Sequence, residues 1–213
     1  MGERGLEVVA PAQIETRSFQ IIGEELERLG RTLDPAAAPI IKRVIHATAD
    51  FDFADALCFS ARAVERGVSA LRGGATIVSD TTMVAAGINK RVLGGFGGEV
   101  RCFVGDADVA AEARERGITR SAVAMERAAL LDGPLVFAIG NAPTALWHLC
   151  ELVDAGTLAK PALVIGVPVG FVNVVESKER VLASGMEHVV ARGRKGGSTV
   201  AVAICNALLY LAT

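Results

Sequence analysis

The sequence lacks the uninterrupted apolar run of about 18 residues that a transmembrane helix requires, although 51% of its residues are hydrophobic. Its most apolar stretches are interrupted by polar residues or proline, for example at Asn141, Pro168 and Asn206. The N-terminal segment MGERGLEVV also lacks the basic region and apolar core of a secretory signal. We therefore expect a cytoplasmic protein that does not associate with a membrane.

Cysteine and net charge are scarce as well. The four cysteines are far apart and form no CxxC pair, which is typical of buried thiols in a reducing compartment rather than of disulfides or metal ligands: Cys58, Cys102, Cys150 and Cys205. A net charge of −2 and a pI near 6.0 argue against general binding to nucleic acid. An anionic ligand would therefore have to meet a local cluster of arginine and lysine.

Histidine is also rare, and the segment RVIHATADFDFAD (43–55) raises the question of a metal site. His46 and Asp50 are four residues apart, a spacing that a metal can use, but no second histidine lies nearby. Asp50 and Asp52 can instead cap the following helix, and Asp55 can lie on its wet face. We expect no metal ligands from the protein.

Ala, Val, Ile, Leu and 23 glycines dominate the composition, and the length suits one domain over residues 1–213. Apolar periodicity predicts three N-terminal helices, at 15–29, 39–48 and 61–72. Short Val- and Ile-rich strands then alternate with helices, at 75–79, 99–104, 135–139, 162–167 and 187–191. This pattern predicts an α/β fold: a doubly wound, mainly parallel five-stranded sheet with helices on both faces and a helical N-terminal region.

Small, glycine-rich turns follow four of these strands: SDTTM (79–83), GNAPT (140–144), GVPVGF (166–171) and RGRKGGS (192–198). In an open parallel sheet they meet at the carboxyl edge, where such folds bind ligands. The last turn matches neither the phosphate-loop nor the dinucleotide-binding pattern. Arg192, Arg194 and Lys195 before a helix that starts at Ser198 would suit an anion, although a solvated basic turn is the alternative.

Arg43 precedes His46 by three residues, so one helical turn places both on the same face. A cation beside an imidazole is a plausible arrangement for a proton donor or acceptor next to a substrate carboxylate. An ordinary core or surface histidine is the alternative. Arg120, just inside a helix capped by Thr119, is a further candidate for an anion contact, against the alternative of an exposed charge.

Seven motifs extend over nearly the whole chain in a fixed order: ETRSF (15–19), RVIHATADF (43–51), GATIVSDTTMVAAGINK (74–90), TRSA (119–122), AIGNAPTAL (138–146), GVPVGFVNVVESK (166–178) and GRKGGS (193–198). This ordered set resembles the precorrin-8X methylmutase family of cobalamin biosynthesis. The resemblance favours a functional role for His46 over an ordinary core or surface histidine.

The resemblance implies an isomerase that moves a methyl group from ring carbon eleven to ring carbon twelve of a contracted tetrapyrrole, without a redox cofactor or a methyl donor. The catalytic histidine of the family matches His46, and its substrate-contacting residues match Ser18 and Arg43. The substrate carries several acetate and propionate groups. We expect further substrate contacts from Arg17, Met83, Arg120, Arg194, Lys195, Gly196, Gly197 and Ser198.

The resemblance also implies a homodimer with active sites where subunits meet, so that Arg120 would act on the ligand of the neighbouring subunit. The family includes metal-free and cobalt-containing substrates, and HATADFDFAD, GINK and GFVNVVESKE look more like the cobalt-precorrin-8 type. Cobalt would then arrive within the substrate, and the product would be cobyrinic acid (hydrogenobyrinic acid in the metal-free case). Transient handover of this product to the next enzyme is a further expectation.

Two other functions fit parts of the sequence. A non-catalytic tetrapyrrole carrier would use the same fold and basic turns, but it would keep most of its function without His46. A nucleotide-binding α/β enzyme would be stabilised against heat by NAD or ATP.

Overall fold

In the computed structural model, which describes residues 9–213, a six-stranded sheet lies between two layers of helices. After a short 3₁₀ helix (Pro11–Gln13), the first half contains α1 (Ile14–Arg28), α2 (Ala38–Thr48), α3 (Phe53–Ala56), β1 (Leu57–Phe59), α4 (Ala63–Arg72), β2 (Thr76–Ser79), α5 (Thr82–Gly87), α6 (Lys90–Gly95) and β3 (Val100–Arg101). The second half contains α7 (Ala107–Arg116), α8 (Arg120–Ala128), β4 (Leu135–Ile139), α9 (Pro143–Asp154), β5 (Leu163–Gly166), α10 (Val174–Ala183), β6 (His188–Ala191) and α11 (Ser198–Ala212).

The strand order is β1-β6-β5-β4-β2-β3, and every neighbouring pair is parallel except β1 and β6. The mainly parallel sheet is confirmed, and each of the five predicted segments contains a strand, although β3 covers only two residues of the segment 99–104. The prediction of a five-stranded sheet is wrong, because the sheet has six strands. The strand that was missed, β1, has only three residues and follows directly on α3, so it shows no period-two pattern. It gains its place from antiparallel pairing with β6, which is a long-range contact.

Alternating side chains of the central strand β4 define the two helical layers. Val136 and Ala138 belong to the apolar cluster that includes α1, α2, α4 and α11, whereas Phe137 and Ile139 belong to the cluster that includes α8, α9 and α10. The two sets of helices therefore cover opposite faces of the sheet. Within the first layer, α11 packs against α2, α4 and α5, and α1 packs against α2.

The part of the chain that the structure describes contains no helix both long enough and apolar enough to cross a bilayer. Residues 1–8, which make up most of the segment in which no secretory signal is predicted, lie outside the described residues.

Truncation of the central strand tests this arrangement. Phe137 is fully buried in β4, so Phe137→Ala should lower the free energy of unfolding by about 3–5 kcal/mol, because it removes apolar burial and leaves a cavity. Leu130 is 75% exposed, and Leu130→Ala should change the same quantity by less than about 0.5 kcal/mol. Urea unfolding followed by circular dichroism measures both values, and equal losses would contradict the assignment of Phe137 to the core.

Candidate active site

His46 and Arg43 lie on the same face of α2 and meet one aromatic ring of α1. The rings of His46 and Phe19 are stacked, with their centroids 5.2 Å apart and their planes 24° from parallel. The guanidinium carbon of Arg43 is 4.7 Å from the centroid of the same Phe19 ring. Since the imidazole is exposed, it can meet a ligand while its ring is positioned from one side. The prediction that Arg43 and His46 share a face is confirmed.

The Arg43 guanidinium is held between two aromatic rings and a carboxylate. Its carbon is 5.4 Å from the centroid of Tyr210 on α11, and a terminal nitrogen donates a hydrogen bond to Glu15 on α1. This ion pair holds the pKa of the Glu15 carboxyl below its ordinary value. Arg43 therefore already binds a carboxylate in this structure, at a position within one helical turn of His46.

The other two predicted residues of α1 are adjacent to Phe19 in the chain. The Ser18 hydroxyl donates to the Ile14 carbonyl oxygen over 2.8 Å, within the helix. A terminal nitrogen of Arg17 is 3.8 Å from a carboxylate oxygen of Glu24. Ser18 and Arg17 are both half-buried. The structure thus brings Ser18 and Arg17 to the helix that supports His46, with the Ser18 hydroxyl directed to its own helix.

The basic turn after β6 is tied to the segment that follows α2. The ammonium of Lys195 is 2.7 Å from a carboxylate oxygen of Asp50 and 2.7 Å from one of Asp52. These ion pairs raise the pKa of Lys195 and contribute to the lowered pKa of Asp52. The interpretation of Asp52 as a cap of α3 is wrong, because at the N-cap its side chain makes no capping bond and accepts from Lys195 instead. Asp50 does lie at the start of this helix, where its carboxylate accepts from the backbone N–H of Asp52 over 3.0 Å as well as from Lys195.

The two arginines of this turn point to different partners. The guanidinium carbon of Arg194 is 5.5 Å from the ring centroid of Phe171, whose side chain is 82% exposed. Arg192 instead forms a bidentate pair with Glu179 on α10, at 2.8 and 2.9 Å. Of the three cations predicted to bind an anion here, only Arg194 is without a carboxylate partner in the described part of the chain.

The glycine-rich turns meet at the carboxyl edge of the sheet, as predicted. The backbone N–H of Gly197 donates to the Val167 carbonyl oxygen over 2.7 Å. At Gly196 a Cβ atom would overlap that same oxygen, so only glycine fits there. The hydroxyls of Ser198 and Thr81 are 3.3 Å apart. Gly196, Gly197 and Ser198 are therefore packed against the turns that follow β2 and β5.

A residue that the sequence analysis missed, Asp80, organises this edge. It is only 2% exposed, and its carboxylate accepts hydrogen bonds from the backbone N–H groups of Gly140, Asn141 and Ala142 at 2.9, 2.8 and 2.6 Å. Burial raises the pKa of this carboxyl, and the three N–H donors oppose that effect. The signal was an aspartate directly after a buried strand.

Arg120 and Met83 lie apart from His46. Arg120 is exposed at the start of α8, where the Thr119 hydroxyl accepts from the Ala122 N–H over 3.1 Å and so caps the helix as predicted. Because α8 covers the opposite face of the sheet from α2, one chain does not bring Arg120 and His46 together. Met83, 67% exposed, is near the start of α5, next to the Thr81–Ser198 contact.

The α8 side of the molecule has a cavity of its own. It measures about 470 Å³ between the first turns of α8, α9 and α10, and Thr119, Thr144, Trp147 and Asn173 are among its lining residues. Arg120 directly follows one of these. This cavity next to Arg120 is therefore separate from the face that carries His46.

The other two histidines are engaged elsewhere. His148 lies between Glu126 and Glu151, at 2.9 and 2.8 Å, and the buried His188 contacts the Met186 carbonyl oxygen at 2.9 Å. Among residues 9–213 no three side chains of His, Cys, Asp or Glu are grouped so that they could hold a metal ion.

Comparisons with known proteins agree on one family. Residues 13–211 match the family model described as precorrin-8X methylmutase. The cobalt-precorrin-8 methylmutase of Salmonella typhimurium is 48% identical over 206 residues, which is 94% of this chain and 95% of that protein. The precorrin-8X methylmutase of Pseudomonas aeruginosa is 46% identical over 198 residues, 92% of this chain and 93% of that one.

A solved structure shows the same fold. The precorrin-8X methylmutase from Thermus thermophilus superposes with a TM-score of 0.84 at 41% sequence identity, over 94% of this chain and 97% of that chain.

Substitution of Asp80 tests the organisation of the carboxyl edge. Asp80→Asn keeps the shape but replaces one acceptor oxygen by a donor group that faces backbone donors, so we expect a loss of about 2–4 kcal/mol in the free energy of unfolding. Asp132→Asn, at an exposed position, is the matched control and should leave this value nearly unchanged. Chemical denaturation of both variants gives the comparison, and a wild-type value for Asp80→Asn would refute the proposed role.

Proposed function

The chain belongs to the precorrin-8X methylmutase family, and we propose that its substrate is cobalt-precorrin-8, which it converts to cobyrinic acid. It is an isomerase of cobalamin biosynthesis that moves a methyl group on the macrocycle. The observation that supports the catalytic assignment most is the exposed His46 ring, stacked on Phe19 one turn from Arg43.

The cobalt-containing form is the finer part of this proposal. Relatives named for the cobalt form, from Salmonella typhimurium and Priestia megaterium, are 48% and 43% identical to this chain, and the relative from Pseudomonas aeruginosa named for precorrin-8X is 46% identical. The motifs HATADFDFAD, GINK and GFVNVVESKE favour the cobalt type. In this proposal cobalt belongs to the substrate, and the protein uses no cofactor of its own.

The reaction needs positioning and one protic group. The bond from ring carbon eleven to the methyl group breaks while the bond to ring carbon twelve forms, as in a sigmatropic shift, so no electrons enter or leave the ligand. The rearranged product regains conjugation, which provides much of the driving force. His46 donates a proton or a hydrogen bond at ring C and so holds the reactive tautomer.

The acidic side chains of the substrate have matching cations around this histidine. Arg43 exchanges Glu15 for a substrate carboxylate, and Arg194 offers a guanidinium beside Phe171. Further contacts are proposed from the turns and helix starts around these groups: Arg17, Ser18, Met83, Lys195, Gly196, Gly197 and Ser198.

A homodimer is part of the proposal because one chain leaves Arg120 on the far face of the sheet from His46. In a dimer with sites between subunits, Arg120 of the partner subunit would contact the ligand held by His46. Charge-assisted contacts to several carboxylates would hold the product tightly, which favours transient handover to the next enzyme in the cytoplasm.

Turnover by the purified protein tests the function. Anaerobic absorbance spectra should show conversion of cobalt-precorrin-8, and His46→Ala should abolish turnover while ligand binding persists, because only the protic group is removed. His148→Gln, which changes a histidine paired with Glu126 and Glu151, is the matched control and should retain turnover.

The metal-free precorrin is measured in parallel. Conversion of that form alone would assign the enzyme to the aerobic route and would contradict the cobalt proposal. Binding of both forms without conversion by the wild type would instead support a carrier.

Mixing two inactive variants tests the shared site. His46→Ala and Arg120→Ala should each lose most activity alone. After dissociation and reassociation together, half of the dimers are mixed and each has one intact site, so activity should recover to roughly a quarter of the wild-type value. If no activity returns although mixed dimers form, Arg120 does not act across the interface.

A further inference from the structure

Lys178 on α10 is a fully buried lysine that has no role in the proposed reaction. Its side chain is 0% exposed, and its ammonium donates to the carbonyl oxygens of Gly193 and Lys195 at 2.8 and 2.9 Å. In the described part of the chain no carboxylate is bonded to it. Because burial of an ammonium without a counter-ion is costly, its position calls for a physical reason.

Both acceptors belong to the turn that carries the proposed anion contacts. This turn has backbone with positive φ at Gly193, Gly196 and Gly197, a conformation that does not propagate regular structure. On one side the Gly197 N–H donates to the Val167 carbonyl oxygen, and the Gly170 N–H donates to that of Arg194, at 2.7 and 3.2 Å. On the other side, among residues 9–213, Lys178 alone bonds to the backbone at both residues 193 and 195.

The 193–198 turn is also connected to α2, the helix that carries His46. The Lys195 side chain binds Asp50 and Asp52, which lie directly beyond α2, the helix that carries His46. Lys178 holds the backbone of Lys195, so a shift of that backbone would move both Arg194 and the tether to α2. The hydrogen bonds of Lys178 therefore influence both the position of Arg194 and the link between the turn and α2.

We infer that Lys178 is a positioning residue of the methylmutase, whose ammonium fixes the 193–198 turn so that Arg194 and Lys195 meet the substrate carboxylates. This inference rests on the proposed function. Lys178 itself contacts neither the ligand nor the reacting carbons, so its removal should weaken substrate binding far more than it slows the methyl shift.

The variant Lys178→Met tests this, since methionine is apolar and close in length to lysine. We expect KM for cobalt-precorrin-8 to rise by roughly tenfold or more while kcat stays within about threefold of the wild type. Lys160→Met is the matched control. Lys160 also donates to a backbone carbonyl, that of Gly185 at 3.4 Å, but it is exposed and precedes β5 at the opposite edge of the sheet. Its kinetic constants should not change.

A conservative variant separates positioning from simple packing. Lys178→Arg keeps a charged donor and should recover part of the lost affinity relative to Lys178→Met. Circular dichroism and thermal unfolding verify that each variant is folded. A KM for folded Lys178→Met equal to that of the wild type, or a fall in kcat with unchanged KM, would overturn the inference.

The wild type provides an independent measurement that needs no variant. Burial alone lowers the pKa of Lys178 to about 8, so this ammonium loses its charge as the pH rises through that value. A neutral amine binds the two carbonyl oxygens more weakly, and KM should therefore rise several-fold between pH 7 and 9.5 with a midpoint near 8. The Lys178→Met variant should lack this dependence.

Burial, and no neighbouring charge, causes the shift in the pKa of Lys178. The elements packed against α10 are α9, β5 and β6, and their ionisable residues do not contribute to the shift at Lys178: His148, Cys150, Glu151, Asp154 and His188. The pKa of Cys150 is raised by burial to about 11. In the turn itself, the pKa values of Arg192 and Lys195 are raised by their carboxylate partners.

The outcomes distinguish the two levels of the proposal. If the wild type does not convert the substrate, the proposed function is wrong, and the role of Lys178 that rests on it is wrong as well. If the wild type is active and its KM is constant from pH 7 to 9.5, or varies equally in Lys178→Met, the inference about Lys178 fails while the function stands.

Discussion

The packing of α11 against α2 is the constraint on which the arrangement of the site depends. Most of α11 is apolar and buried, and it fixes the position of α2 along the sheet. Its start is held at the carboxyl edge by the Gly197 N–H bond to Val167, and near its end Tyr210 meets the guanidinium of Arg43. The basic turn and the face of α2 that carries Arg43 and His46 are therefore both held by α11. Aromatic contacts of this kind add only about 0.5–1.5 kcal/mol each, so the buried apolar face of α11 provides most of the order.

Three cations of this region are held by different partners: the half-buried Arg43, the exposed Lys195 and the buried Lys178. Arg43 has aromatic faces and a carboxylate, Lys195 has two carboxylates, and Lys178 has only carbonyl oxygens. An arginine between aromatic rings keeps its charge and its planar donors available to a ligand. A lysine bound to carbonyl oxygens instead uses its N–H donors to hold the backbone. In the proposed function, the groups that offer charge to the ligand would thus be different from the group that defines the shape of the turn.

Much of the fold was predictable from local patterns, and the missed parts were those that depend on distant contacts. Apolar patterns in the sequence predict β2 to β6 and the helices α1, α2 and α4. The geometry of a parallel sheet predicts that the turns after the strands meet at its carboxyl edge. β1 was missed because its segment LCF shows no alternating pattern and its place in the sheet depends on pairing with the distant β6. Asp80 and Lys178 were missed because their partners are backbone groups about 60 and 16 residues away. Backbone groups do not show in the pattern of side chains along the sequence. The sequence alone could not predict that Arg120 and His46 lie on opposite faces of the sheet, because this depends on the strand order.

The ion pair between Arg43 and Glu15 has a consequence for ligand selection. A carboxylate tethered on the neighbouring helix acts at a high effective concentration, so an incoming ligand must compete with it for the same guanidinium. A molecule with a single carboxylate gains little from this exchange, because one ion pair replaces another. A ligand whose further carboxylates engage Arg194 at the same time gains contacts that Glu15 cannot reproduce. If Arg43 and Arg194 bind substrate carboxylates as proposed, the pair would discriminate against small monocarboxylic acids and admit polycarboxylic macrocycles. This selection would come from multivalency rather than from the shape of a closed pocket.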